Sequence, residues 1–495
     1  MKEKCRLTSI AVALICLALL PEMYAVSPPP DGCYPNFTTA EGCKALQSLG
    51  TGVANTGIGW YSLFGTSTGS YNTAVGAGAL DLNNADSNTA VGAGALLLNT
   101  SGTNNTANGT FALVFNDAGE GNTATGAFAL YSNSDGQFNT ANGEFALYFN
   151  TSGERNTAIG DSASYQNTEG SRNTAVGNAA LLINSTNNDN TAVGAFALQS
   201  NIADGNTAIG ASALSNNTTG ETDTAVGANA LSTNTTGEGN TAVGFEALTI
   251  NTNGNANTAV GDAALHNNNS GTDNTALGFA SLINNHEGDE NTAVGVRALQ
   301  FNSTGSGNIA LGNAAGSQVT TADNVICIGN GAGQNVSNSC YIGQIFGSTS
   351  SGGIGVFVNA DGKLGTVVSS HRFKHDIKPM KHSSEVIYRL NPVSFRYNSE
   401  IEPTCPITFG LVAEEVEQID PDLVARDKDG NPFSVRYDQV NAMLLNEFLK
   451  EHRTVQTQQK EIDGLKQELK EQRALIEQVT AQMDKVASKL VAEEL

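Results

Sequence analysis

The chain is 495 residues long, with 54 glycines, 6% aromatic and 15% charged residues, so few side chains are available to fill one wide globular core. A thin, repetitive structure with a narrow core of Ala, Val and Leu fits that composition better. The formal charge of −23 is concentrated upstream, where residues 26–368 hold 24 acids against 5 bases, and the repulsion of phosphates disfavours nucleic acid as a partner.

The first residues read as an export signal. Lys2, Lys4 and Arg6 form a basic start, Leu7 to Leu20 an apolar run, and Ala25 a cleavage point, giving a signal peptide over 1–25. An uncleaved anchor is the competing reading, but the run is shorter than the about 20 residues a span needs. No later segment is apolar enough to cross a bilayer. The mature chain is therefore expected to be exported, extracellular or at the cell surface, with no transmembrane segment. Cys5 and Cys16 leave with the signal. Cys33 and Cys43 bracket "YPNFTTAEG" and are disulfide candidates in an oxidising compartment. Cys327 and Cys340 are a second candidate pair, with isolated buried thiols as the alternative, and Cys405 is left odd. No pattern of Cys or His points to a metal, and no cofactor is expected.

From Asn55 onward one phrase returns: "NTGIG" at 55, "NTAVG" at 72, 88, 173, 190, 240, 257 and 291, and "NTAIG" at 156 and 206. "NTANG" at 105 and 139, "NTATG" at 122, "DTAVG" at 223 and "NTALG" at 274 are variants; "NIALG" at 308 and "NVICIG" at 324 close the series. The anchors lie 17 residues apart, sometimes 16, which marks a stacked array. Each copy has a short strand, then "xxAL", then a polar corner such as "NTTGEG". A unit this small cannot bury its own apolar residues. Stacking at about 4.8 Å would align Val75, Val91, Val176 and Val193 in one ladder and Leu80, Leu96, Leu181 and Leu198 in another. Corner Asn side chains can ladder through their amides. Gly76 and its equivalents permit a bend at positive φ.

The phrase resembles the head repeats of trimeric autotransporter adhesins, over about residues 50–335. That resemblance implies a left-handed parallel β-roll in a homotrimer. The period here is longer, and the membrane-anchoring barrel segment of those adhesins has no counterpart. A one-chain solenoid is the rival architecture. The Thr ladder at Thr73, Thr89 and Thr106 could face a periodic ligand, and stacking alone explains it equally well.

At the seam, "GVFVNADGKLGTVVSS" alternates apolar residues around Asp361-Gly362, which predicts a hairpin. "SSHRFKHDIKPM", "LNPVSFRY", "GLVAEEV" and "VRYDQVNAMLLNEFLKE" follow. Together they resemble the intramolecular chaperone auto-processing domain of phage endosialidase tailspikes and the myelin regulatory factor, over about 369–456. That resemblance implies a domain that trimerises a fibre, assists its folding and cuts itself off. It also implies Ser369 as nucleophile, Lys374 as base and the Val368–Ser369 bond as the cleavage site. Ser370, His371 and Arg372 stand beside the pair as supporting candidates; His375 is a further nearby positive group. A serine hydroxyl is a weak nucleophile until a base takes its proton, and a lysine can take it only when neutral.

The tail carries a heptad: Val455, Ile462, Leu469, Ile476, Met483 and Leu490 at a, with Gln458, Leu465, Gln472, Val479 and Val486 at d. The expected fold is mainly β: signal peptide 1–25, N-terminal cap 26–50, β-roll fibre 51–335, neck with hairpin 336–368, an α+β chaperone domain 369–456 and a coiled coil 457–495. The expected function is a secreted or surface trimeric fibre, adhesin-like, that partners itself and a surface glycan or protein. The repeats are given no enzyme activity. The alternative is a phage-tailspike-like fibre that binds or degrades glycan.

Overall fold

A computed structural model describes residues 35–493 apart from Glu400 and Pro403. The signal segment with Cys5 and Cys16, and also Cys33, lie outside the described residues. Along the chain the structure divides into two compact units, with the boundary between Ser348 and Thr349.

The first unit is a parallel β-solenoid. Nineteen strands, β1 (Thr39–Glu41) to β19 (Cys340–Ile342), each pair with the next in one sheet. Thr106 stands opposite Thr123 and Ala107 opposite Ala124, so like positions of successive repeats meet. The Thr column at Thr73, Thr89 and Thr106 is in line.

The interior departs from the expected Ala–Val–Leu core. Ala74, Ala90 and Ala107 of the strands point inward, with Ala79 and Leu80, Ala95 and Leu96 behind them, all fully buried. The valine column turns outward; Val91 is 39% exposed and Ile159 40%. Strand side chains alternate faces, and a solenoid this narrow has room for a methyl group rather than a branched chain at that point. Two columns of buried asparagines fill the rest. In one, Asn99 Nδ2 donates to Asn83 Oδ1 (2.6 Å) and Asn116 Nδ2 to Asn99 Oδ1 (2.7 Å). In the other, Asn88 Oδ1 accepts from the Asn105 backbone N–H (2.9 Å), and Asn105 Nδ2 donates to the Gly119 carbonyl (2.8 Å). Each amide thus satisfies backbone groups that the corners would otherwise leave unpaired.

Gly76 sits at φ 138°, and a Cβ there would lie 2.4 Å from the Gly92 carbonyl of the next turn, so both conformation and stacking require glycine. The buried leucines are also left-handed, Leu80 at φ 53° and Leu96 at φ 52°. That conformation costs about 1–2 kcal/mol, and full burial of a leucine returns about 1.5–3 kcal/mol, so burial wins narrowly.

The sheet is longer than the repeat phrase. It begins at β1, inside the segment expected as a cap, and continues to β19, beyond residue 335. Cys327 and Cys340, the candidate pair, are not joined; both are free thiols, as is Cys405. Register explains it, because Cys340 stands opposite Ile326 while Cys327 stands opposite Tyr341. That one-residue offset sends one thiol into the core and leaves the other exposed. Burial raises the Cys327 thiol to about 11, so it is an inert core residue.

The second unit opens with the hairpin β20 (Val356–Val358) and β21 (Leu364–Thr366), turned at Gly362 with φ 77°. A small α+β body follows: antiparallel pairs β22 (Val393–Phe395) with β23 (Thr408–Gly410) and β24 (Val424–Arg426) with β25 (Pro432–Val435), and helix α1 (Ala413–Ile419). Its core is Val416, Leu423, Val424, Val435 and Val440. Helix α2 (Tyr437–Glu493) then runs unbroken for 57 residues through the expected boundary at 456. Its heptad residues face solvent in the single chain; Ile462 is 45% exposed and Leu469 50%. No helix among the described residues is long and apolar enough to cross a membrane.

Candidate active site

After β21 residues 367–370 have no regular structure, with Ser370 extended, and the chain then closes one 3-10 turn, His371–Phe373. The Ser370 carbonyl accepts from Phe373 N–H (3.0 Å) and the His371 carbonyl from Lys374 N–H (3.1 Å). This turn shortens the path between Ser369 and Lys374. Lys374 Nζ lies 3.1 Å from Ser369 Oγ, a hydrogen bond between residues five apart. It is Ser369, and not its neighbour Ser370, that the amine reaches.

The supporting candidates are placed differently. The Ser370 side chain makes no capping bond to the turn. The Arg372 guanidinium lies over the Phe373 ring, 4.9 Å from its centroid. His375 Nδ1 is 3.0 Å from Asp376 Oδ2, so its partner is a carboxylate rather than the lysine. Val368, Ser369 and Lys374 are all exposed in the single chain. With the amine charged, the bond runs from Nζ to the hydroxyl. Catalysis requires the opposite polarity, a neutral amine accepting the hydroxyl proton.

Downstream, a polar cluster pins the 3-10 segment Lys381–Arg389 to the start of α2. The Glu447 carboxylate accepts from Lys450 Nζ (2.7 Å), from the buried Ser384 hydroxyl and from Tyr388 Oη (2.9 Å). Asn446 Nδ2 donates to Ser384 Oγ (2.6 Å), and Lys450 Nζ also reaches Glu385 Oε1 (3.2 Å). The bonds from Lys450 first, and then Ser384, hold the Glu447 carboxyl down at about 2. Sequence reading missed this cluster, whose members are about 60 residues apart and carry no local signal. Among the described residues no group of His, Cys, Asp and Glu could hold a metal.

Residues 369–425 match the family described as chaperone of endosialidase, whose members are intramolecular chaperones with self-cleaving activity. The match begins at Ser369 and ends within β24, short of the 369–456 expected. No curated protein matches the chain. The protein thus joins a long β-solenoid to a chaperone-of-endosialidase domain, the arrangement of a tailspike-like or fibre-like protein.

Proposed function

We propose that this is an exported, adhesin-like trimeric fibre whose C-terminal domain assists its assembly and then cuts itself off at Val368–Ser369. The observation that carries the reading is the 3.1 Å contact between Lys374 Nζ and Ser369 Oγ at the first residue of the family match. In the proposed reaction neutral Lys374 takes the Ser369 hydroxyl proton, and Oγ bonds to the carbonyl carbon of Val368. The C–N bond breaks, the proton passes to the Ser369 nitrogen, and Val368 is left as an ester on Oγ. Water hydrolyses that ester and frees the fibre.

Two features support the trimer. The outward column of Ile58, Val91, Ile159, Ile209 and Leu277, and the heptad seam of α2, are both apolar and exposed in one chain. Threefold association would cover both. It would also offer the exposed dyad a desolvating neighbour, which a neutral lysine needs.

The test is the intact mass of the full chain after expression and folding. Two products are expected, with the C-terminal one beginning at Ser369. A chain that folds and remains whole, or is cut elsewhere, would refute the assignment.

A further inference from the structure

In the middle of the solenoid the outward positions become aromatic. Phe111, Phe128 and Phe145 occupy one repeat position, with ring centroids 5.7 and 5.3 Å apart. Three residues further along each turn, Tyr131, Tyr148 and Tyr165 stack at 4.9 and 5.3 Å, the first pair with parallel planes at 0°. The columns touch, since Phe128 lies 5.8 Å from Tyr131 and Phe145 5.7 Å from Tyr148. Phe115 and Phe149 close the edge against Tyr131 and Tyr165, at 5.0 and 5.1 Å. The result is one continuous aromatic face over four turns, about 14 Å along the axis, with its rings half-buried or exposed.

We propose that this face is a binding platform for a neutral oligosaccharide. The proposal deepens the fibre reading by naming its ligand class, and it does not depend on self-cleavage. A pyranose ring has an apolar C–H face and a hydroxyl rim; the electron-rich face of a Phe or Tyr ring matches the first, and polar neighbours match the second.

Three observations select that occupant. The first is locality. An in-register contact between copies would run the length of the fibre, as the Val/Ile column does on either side of this stretch, whereas outside these turns aromatics at the two positions are isolated, Tyr61 with Phe64 in one turn and Phe196 in another, among residues such as Ser212, Ser215 and Ser232. The second is the coincident loss of that column: within the same stretch of turns its outward residues are Asn108, Thr125 and Asn142 instead. The turns that carry the rings also carry amide and hydroxyl groups on their strands. The third is charge. Residues 108–166 contain six acids, with Glu144 and Asp161 each next to a residue of the phenylalanine position, and one base. That base, Arg155, lies against Glu154 and over Phe138, away from the stacked columns. Such a rim repels sulfated or sialylated chains and tolerates neutral ones.

The test is calorimetric titration of the full chain, cut or uncut, with cellohexaose, maltohexaose and chitohexaose, and with polysialic acid as the anionic probe. At least one neutral hexasaccharide is expected to bind, and polysialic acid is not. Tyr148→Ser, which places at that position the residue the protein itself uses at Ser215 and Ser232, is expected to weaken binding about tenfold. Tyr148→Phe keeps the stack and should stay within about threefold of the unmodified chain. Failure of all three neutral probes overturns the proposal. So does polysialic acid binding that is insensitive to Tyr148→Ser, or a face that only drives lateral association of fibres. Because cleavage is scored separately by mass, failure here is distinguishable from failure of the fibre reading.

Discussion

Lys374 reaches back across a single 3-10 turn to place its Nζ 3.1 Å from Ser369 Oγ, and the bond that would be cut lies on the amide of that same serine. Nucleophile, base and scissile bond thus lie within one seven-residue stretch of one chain, so the proposed reaction is unimolecular and needs no docking of substrate.

That geometry separates two roles for the lysine. Lys374→Arg preserves charge and reach, but a guanidinium stays protonated and cannot serve as base. It should abolish cleavage as fully as Lys374→Ala and Ser369→Ala, while Ser370→Ala should cleave normally. Gel and mass analysis of the four variants decides. Cleavage by Lys374→Arg would mean that the residue contributes charge alone.

The asparagine column that runs through the solenoid is interrupted once, at Asp223. This carboxyl is fully buried; it accepts from the Asn240 N–H (2.8 Å) and from Asn234 Nδ2 (2.9 Å). Burial raises it to about 7 in spite of those bonds. A group whose folded value lies above its unfolded one, here near 4, adds stability at low pH that is lost as pH rises towards 7. The solenoid should therefore be less stable at pH 8 than at pH 5. Asp223→Asn restores the amide donor and removes most of that difference, at most ~3 kcal/mol, because only the about two units between pH 5 and the folded value contribute. Hydrogen exchange of the turns around residue 223 at both pH values is the measurement. A weaker trend of the same sign should remain from Asp81, raised by burial to about 6. An unchanged pH dependence at residue 223 in the variant would show that the aspartate is not its source.

Much of the fold was legible because the repeat states it. Strand, bend and corner follow from "NTAVG", "AL" and the Asn/Gly run. Which of Ala and Val faces inward was not legible, since alternation fixes two faces without saying which is the core; the width of the coil decides, and it takes a small side chain rather than a branched one. The cysteine register was hidden because Cys327 and Cys340 lie 13 apart in an array that advances by 16 or 17. The candidate pair Ser369 and Lys374 was picked out by its flanking motifs, and the 3-10 turn that closes the five-residue spacing carries no signal of its own in the sequence. The aromatic columns escaped a reading that followed what the repeats share, because they lie where the repeats differ.

The Glu447 cluster makes a different prediction. Its carboxyl is held at about 2, below the unfolded value, so its contribution is present above about pH 4 and lost as pH falls towards 2. It fixes the Lys381–Arg389 segment, seven residues after the dyad, to α2. Glu447→Gln loses the charge that Lys450 and Ser384 serve. It should slow self-cleavage at neutral pH while leaving Ser369 and Lys374 intact. A time course at pH 7 that matches the unmodified chain would show that the docking does not support the site.

The last prediction concerns register. Every turn offers the next nearly the same columns of Thr, Ala, Leu and Asn, so a chain displaced by a whole turn against its neighbours would lose little. Registering three such chains in the proposed trimer needs a signal from outside the array, which the C-terminal domain and the α2 heptads would supply during assembly. Once formed, the stack is held by many small contacts between neighbouring turns and has no further use for that signal. The cleaved fibre should therefore be kinetically stable, resisting heat and detergent, yet should not recover after complete denaturation. Unfolding purified fibre ending at Val368, removing the released fragment and returning it to native buffer should give aggregates or out-of-register trimers. Efficient recovery of in-register trimers would mean that the irregular turns, the 16-residue steps at Asn72 and Asn190 and the single aspartate at 223, already fix the alignment. Cleavage at Ser369 would then remove a segment that the fibre never needed.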